Sequence, residues 1–208
     1  MATRLLLVRH GQTEWHAENR YAGVSDVPLT AEGLRQAEAL AAWAGTRQID
    51  AVACSPLSRA RATAAPAAEL LGLVPEVVPG LREVDFGWGE GRTLAEMRAA
   101  DPGAVWAFEA DAELGALPGS EPPLSAALRG QAALRELAAG RPDAVVLVVA
   151  HNTLLRMALC QMLGMRVGRY RQLLPVLGNA AVTEIEVAGH RTALRSLNVP
   201  TAAFRSPL

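Results

Sequence analysis

The chain has 208 residues, long for one small domain and short for two, and enough to bury a real core. Half of it is hydrophobic, only 4% is aromatic and the formal net charge is −1, the profile of an ordinary soluble globular protein. That balance leaves no whole-chain basic field, so neither nucleic acid nor an acidic membrane surface is expected as a partner.

In chain order, Leu5–Val8 reads as a fully buried strand, and Arg9 and His10 end the apolar run too early for a secretory signal. Thr30 through Ala44 follows as a helix with Leu34, Ala37, Leu40, Ala41 and Ala44 on one face. Asp50–Cys54 is a second short strand. Ser55 then supplies a hydroxyl N-cap and Pro56 a first-turn proline, so a helix is expected from there to Leu71, with Pro66 a candidate kink. Thr93 and Glu96 stand at capping-box spacing before another helix. Asp111 to Pro123, with its glycines and prolines, is a loop, and the helix after it ends near Gly140.

Ala144–Ala150 is the longest apolar run, seven residues against the ~20 that span a bilayer, and therefore a strand. Asn152–Leu163 follows as a helix with Asn152 placed to cap it, and Ala180–Val187 with Thr192–Val199 forms a terminal hairpin turning at Ala188 and Gly189. Two cysteines, Cys54 and Cys160, make no disulfide framework and read as small buried hydrophobes in a reducing compartment, so the cytoplasm is the expected location. Apolar runs alternating with helices imply an α/β fold: a three-layer α/β/α sandwich with a mostly parallel central sheet. One domain is expected over residues 1–208. The stretch from about 84 to 123 fits the alternation least and is assigned to a small inserted cap lobe.

In a parallel sheet the carboxyl ends of the strands share one edge, where ligands bind. Arg9 and His10 follow the first strand, Arg59 lies in the first turn of the helix after the second, and His151 follows the strand ending at Ala150. Guanidinium forks pair bidentately with phosphate oxygens and imidazole can donate or attack, so this quartet suits a tetrahedral dianion. Helix N-termini after Ser55 and His151 add backbone donors. Glu83, Asp85, Glu90 and Glu96 lie close together in the following stretch, and any of them could serve as an acid.

"RHG" at 9–11, "TEW" at 13–15, "DVPLTAEG" at 26–33, "SPLSRA" at 55–60 and "VVAH" at 148–151 together resemble the histidine phosphatase superfamily, also called phosphoglycerate mutase-like. The resemblance implies a phosphohistidine mechanism with His10 as nucleophile and with Arg9, Arg59 and His151 holding the equatorial oxygens. It singles out Glu83, in "LREVDFG", as proton donor to the leaving oxygen and then base for water. Gly11, Glu14, His16, Gly23 and Asn152 are the further substrate-side candidates. Gly11 is expected to give the phosphate room, and Glu14 to orient His10 or an arginine. His16 stands where the family usually carries asparagine, so a substrate or phosphate contact is replaced by a larger, titratable group; "HNT" at 151–153 replaces the common "HGG" and Trp88 in "FGWGEG" sits one place early, and both of these alter the rim and not the phosphate clamp.

No metal and no cofactor are expected, because the arginines supply the positive charge and His10 with His16 has no recognised ligand spacing. The resemblance implies that mutases grip a substrate carboxylate with a lysine and paired arginines from a longer insertion. Here residues 92–121 hold only Arg92 and Arg98, and the chain has no lysine. The expectation is therefore a phosphomonoester phosphatase acting on a small-molecule phosphate ester, with a cap poorly suited to a polyanion. The alternatives carried beside it are a cofactor-dependent phosphoglycerate mutase and a non-catalytic phospholigand-binding module. Oligomeric state is open, a homodimer included.

Overall fold

The computed structural model describes residues 2–201. Six strands, β1 (Thr3–Arg9), β2 (Ala51–Cys54), β3 (Glu76–Val77), β4 (Val145–Ala150), β5 (Val182–Ala188) and β6 (Arg191–Val199), form one sheet in the order β3-β2-β4-β1-β5-β6. β1, β2, β3 and β4 run parallel, and β5 pairs antiparallel with both β1 and β6.

The central strands read as unbroken apolar runs because helices cover both of their faces. On one side Leu5, Leu7, Val146, Val148 and Ala150 join a core with α5 (Pro123–Ala139) and α6 (Asn152–Met162). On the other, Leu6, Val8, Leu147 and Val149 meet α1 (Ala31–Ala44) and α2 (Ser58–Leu71). Each fully buried leucine contributes roughly 1.5–3 kcal/mol, so a one-residue slip of β1 would be costly on both faces at once. The three-layer architecture is the one expected from the sequence.

Local details differ from the expectation where a tertiary partner intervenes. Thr30 caps α1 by accepting from the Gly33 amide at 3.1 Å, but Leu34 lies 54% exposed and outside the buried stripe. α2 begins at Ser58 and not at Ser55, whose hydroxyl is taken by His151. Pro66 sits inside that helix, which continues to Leu71. Asn152 is the first residue of α6 and makes no capping bond; its Oδ1 accepts from the Leu177 amide instead. The hairpin turns at Gly189 and His190, one residue later than expected, and His190 is exposed.

Between β3 and α5 the chain forms α3 (Leu94–Ala100), with the expected Thr93/Glu96 capping box, and α4 (Pro102–Ala110), capped by Asp101. Met97, Val105, Phe108, Ala112 and Leu117 from this stretch are buried in the same cluster as Leu5 and Leu7. After a short α7 (Tyr170–Leu173) the chain enters the terminal hairpin.

Candidate active site

The carboxyl ends of β1, β2 and β4 deliver His10, Arg59 and His151 to one edge, and Glu83 reaches the same place from the segment after β3. A cavity of about 330 Å³ opens there, with Arg9, His10, Thr13, His16, Tyr21, Glu83, Asn152, Thr153, Arg156, Tyr170 and Arg171 in its wall.

His10 is 5% exposed. Its Nδ1 lies 2.8 Å from the Gly11 carbonyl oxygen, an acceptor, so Nδ1 carries the proton and Nε2 keeps a free lone pair. Burial above all, then the charges of Arg59 and Arg9, holds its pKa well below the usual imidazole value, so the ring is neutral near pH 7. The backbone fixes its position at both ends: the His10 amide donates to the Ala150 carbonyl at 3.0 Å, and Asn179 Nδ2 donates to the His10 carbonyl at 2.8 Å.

His151 is fully buried, its ring centroid 5.1 Å from that of His10. Its Nε2 lies 2.7 Å from Ser55 Oγ, which also accepts weakly from the Leu57 amide at 3.3 Å. With Ser55 donating to Nε2, the His151 proton sits on Nδ1, and Nδ1 has no partner. Burial, then the neighbouring His10, keeps this imidazole neutral as well.

Arg59 is fully buried and spends its terminal nitrogens on a loop: Nη1 donates to the Ser25 carbonyl at 2.7 Å, and Nη2 to those of Gly23 at 2.8 Å and Ala22 at 3.1 Å. Arg9 donates from Nη1 to the Leu177 carbonyl at 2.9 Å and from Nη2 to His16 Nε2 at 2.6 Å. Burial lowers Arg9 to about 10, which leaves it cationic at neutral pH. The Nε groups of both arginines are buried without a partner. Three unpaired buried nitrogens, Arg9 Nε, Arg59 Nε and His151 Nδ1, thus occur among residues grouped at one strand edge. Native interiors rarely tolerate such a cluster.

Of the four acidic candidates only Glu83 lines the cavity. It accepts from the amides of Thr153 at 3.0 Å and Leu154 at 2.8 Å, and so caps α6 in place of Asn152, and from the Val84 amide at 2.9 Å. Burial nevertheless pushes its carboxyl upward, against those bonds and the charge of Arg59. Glu90 accepts from the Gly23, Val24 and Ser25 amides and from Ser25 Oγ at 2.7 Å, holding the loop that Arg59 holds from its carbonyls. Glu96 belongs to its capping box and to Arg20, and Asp85 accepts from the Gly87 amide.

His16 braces Arg9. Nε2 accepts from the guanidinium, Nδ1 lies 2.8 Å from Thr13 Oγ1, and burial followed by Arg9 lowers the ring to about 4. Glu14, expected to orient His10 or an arginine, is exposed and makes no side-chain hydrogen bond among the described residues; His16 occupies that role toward Arg9. Gly11 is also outside the cavity wall. A Cβ there would meet the Gly33 carbonyl oxygen at 2.6 Å, so the close approach of β1's end to α1 requires glycine. Gly23 likewise has no room, its Cβ position lying 2.2 Å from the Val84 carbonyl oxygen.

The family model of the histidine phosphatase superfamily (branch 1) matches residues 5–200. The chain belongs to this superfamily. Among relatives of that family, glucosyl-3-phosphoglycerate phosphatase of Mycobacterium tuberculosis (strain ATCC 25618 / H37Rv) is 35% identical over 197 residues, 91% of this chain and 86% of the relative. A probable phosphoglycerate mutase, GpmB, of Enterobacter sp. (strain 638) is 33% identical over 183 residues, 88% of this chain and 84% of that one. The solved native structure of mycobacterial glucosyl-3-phosphoglycerate phosphatase superposes with a TM-score of 0.86 at 33% identity, covering 96% of this chain and all of that one. Enzyme class and fold thus agree with the expectation from the sequence: a phosphoric monoester hydrolase on an α/β sandwich.

Histidine phosphatase motifs do not account for every residue of the cavity wall. Arg156, Tyr170 and Arg171 carry no expectation from the sequence, yet all three line the cavity. A signal was available for Arg156, which lies four residues after Asn152 on a helix that opens at a strand end, and hence on the cavity-facing stripe. Tyr170 and Arg171 come from a four-residue helix with no periodicity to read.

Proposed function

We propose that this chain hydrolyses a small phosphate monoester through a phosphohistidine at His10. The free Nε2 lone pair attacks phosphorus; the N–P bond forms as the ester P–O bond breaks, and Glu83 gives its proton to the departing alkoxide oxygen. Glu83 then takes a proton from water as the water oxygen bonds phosphorus, the N–P bond breaks, and inorganic phosphate leaves with His10 restored. Arg9, Arg59 and the Nδ1–H of His151 receive the equatorial oxygens as charge spreads over them. His16 is a positioning residue for Arg9.

The observation that carries this reading is the set of buried, unpartnered nitrogens on Arg9, Arg59 and His151 around a neutral His10 with a free lone pair. A phosphoryl group supplies the acceptors these donors lack. In this reading residues 84–123 act as the cover of a single domain, the ester is soluble and cytoplasmic, and neither nucleic acid nor membrane takes part. Among the described residues no helix is long and apolar enough to cross a membrane.

The test is release of phosphate from p-nitrophenyl phosphate between pH 4 and 9 with EDTA present, together with trapping of a labelled phosphoprotein. Turnover with acid-labile label that disappears in His10→Ala is expected. No turnover by the wild-type protein would sink the phosphatase reading, and phosphoryl return to 3-phosphoglycerate in preference to water would make it a mutase.

A further inference from the structure

Arg156 is 5% exposed, its Nε is buried without a partner, and neither a hydrogen bond nor a carboxylate partner for its guanidinium is found among the described residues. What it touches is a ring: its Cζ stands 4.5 Å from the Tyr170 centroid. Arg171 is held in the same way, 3.8 Å above Phe108 and 4.6 Å from Tyr170, and donates only from Nη1, to the Phe108 carbonyl at 3.0 Å; its Nη2 is buried and unpaired. Arg20, which also lines the cavity, is different, since Glu18 and Glu96 bind it.

Stacking engages the face of a guanidinium and leaves its N–H edge free, which is the edge that grips an oxyanion bidentately. Both guanidiniums contact the Tyr170 ring and neither has a salt-bridge partner among the described residues, so an anion that completes the site would relieve the cost of burying their charge. Tyr170 is pushed up to about 12 by its burial, so its hydroxyl stays protonated and can donate as well. The groups are already locked by packing, which lowers the ordering cost of binding.

We propose that Arg156, Arg171 and Tyr170 form a second oxyanion subsite, so that the preferred substrates are phosphate esters whose alcohol carries a carboxylate or a second phosphate. Arg156, Arg171 and Tyr170 line the same cavity as Arg9, His10 and Glu83, so the subsite shares that cavity with the scissile phosphate. The cap segment, with only Arg92 and Arg98 between residues 92 and 121, is the part expected to suit a polyanion poorly; in this proposal the cations come from α6 and α7. The inference rests on the phosphatase reading for the identity of the first anion.

The experiment compares matched pairs differing only in the second charge: 3-phosphoglycerate against glycerol 3-phosphate for a carboxylate, and fructose 1,6-bisphosphate against fructose 6-phosphate for a phosphate. In at least one pair the charged member should exceed its partner by about tenfold or more in kcat/KM, and Arg156→Gln should cut that ratio to about threefold or less while Arg156→Lys keeps part of it. If Arg156→Gln does not fold, Arg171→Gln, at a half-buried position, carries the same expectation. No preference in either pair, or a preference surviving both variants, would overturn the subsite. Calorimetric binding of the same pairs reads it without turnover, so an inactive wild-type protein that still binds the charged members more tightly would fail as a phosphatase and pass here.

Discussion

Arg59 and Arg156 are both buried, at 0% and 5% exposure, and both belong to the site, yet they use their charge in opposite ways. Arg59 ties three carbonyls of residues 22–25 together and keeps only Nε for a ligand; Arg156 rests on a tyrosine ring and keeps its whole N–H edge. In the proposed reading Arg59 is a structural node that also binds phosphate, whereas Arg156 binds without a hydrogen-bonding duty in the fold.

The contrast is tested most severely at the nucleophile. His10→Ala should lower kcat/KM by at least about 10³-fold on every substrate, with the free energy of urea unfolding unchanged to within about 1 kcal/mol, since only a side chain facing the cavity is lost. Activity within tenfold of wild type would move the nucleophile elsewhere.

Glu83→Gln comes next, with an expected loss of about 10²–10⁴-fold on alkyl phosphates and much less on p-nitrophenyl phosphate, whose leaving group needs little protonation. Because burial raises the Glu83 carboxyl, the wild-type rate on alkyl phosphates should fall as pH rises through that raised value and the acid form is lost, while the depressed His10 keeps its nucleophilic form well below pH 6.5. Equal losses on both substrate classes would remove Glu83 from the proton-donor role.

Arg59→Met and Arg156→Met separate the two arginines by stability. The first orphans three carbonyls and should cost about 3 kcal/mol or more in urea unfolding; the second removes an unpaired buried charge and should stay within about 1 kcal/mol of wild type. Equal losses would erase the distinction.

The smallest effect concerns acid stability. His16 has a depressed pKa, near 4 against 6.5 unfolded, so the unfolded chain binds the extra proton and stability falls with pH between those values. His16→Asn should flatten that part of the stability curve; an unchanged slope would mean that His10 and His151 account for it alone.

Much of the site was legible in the sequence for one physical reason. An apolar run buried on both faces can end only at the sheet edge, so Arg9, His10 and His151 had to emerge there, and a helix opening after β2 had to carry Arg59 to the same edge. Glu83 needed more than this: spacing left it among four acids, and only the packed structure shows Glu90 drawn to the 23–25 loop and Glu96 to its own helix start. Glu14 is expected to orient His10 or an arginine, yet His16 is the residue that holds Arg9, because a strand-to-turn motif does not reveal which neighbour its side chains will meet.

Sequence alone determined the layers, the parallel order of the chemistry along the chain and the family, since periodicity and local caps depend on residues close in the chain. Tertiary structure decided that Ser55 serves His151 and not α2, that His16 holds Arg9, and that Arg156 and Arg171 face the cavity on aromatic rings. Those outcomes depend on partners up to about a hundred residues away, and no local pattern encodes which of two polar groups will be left without one.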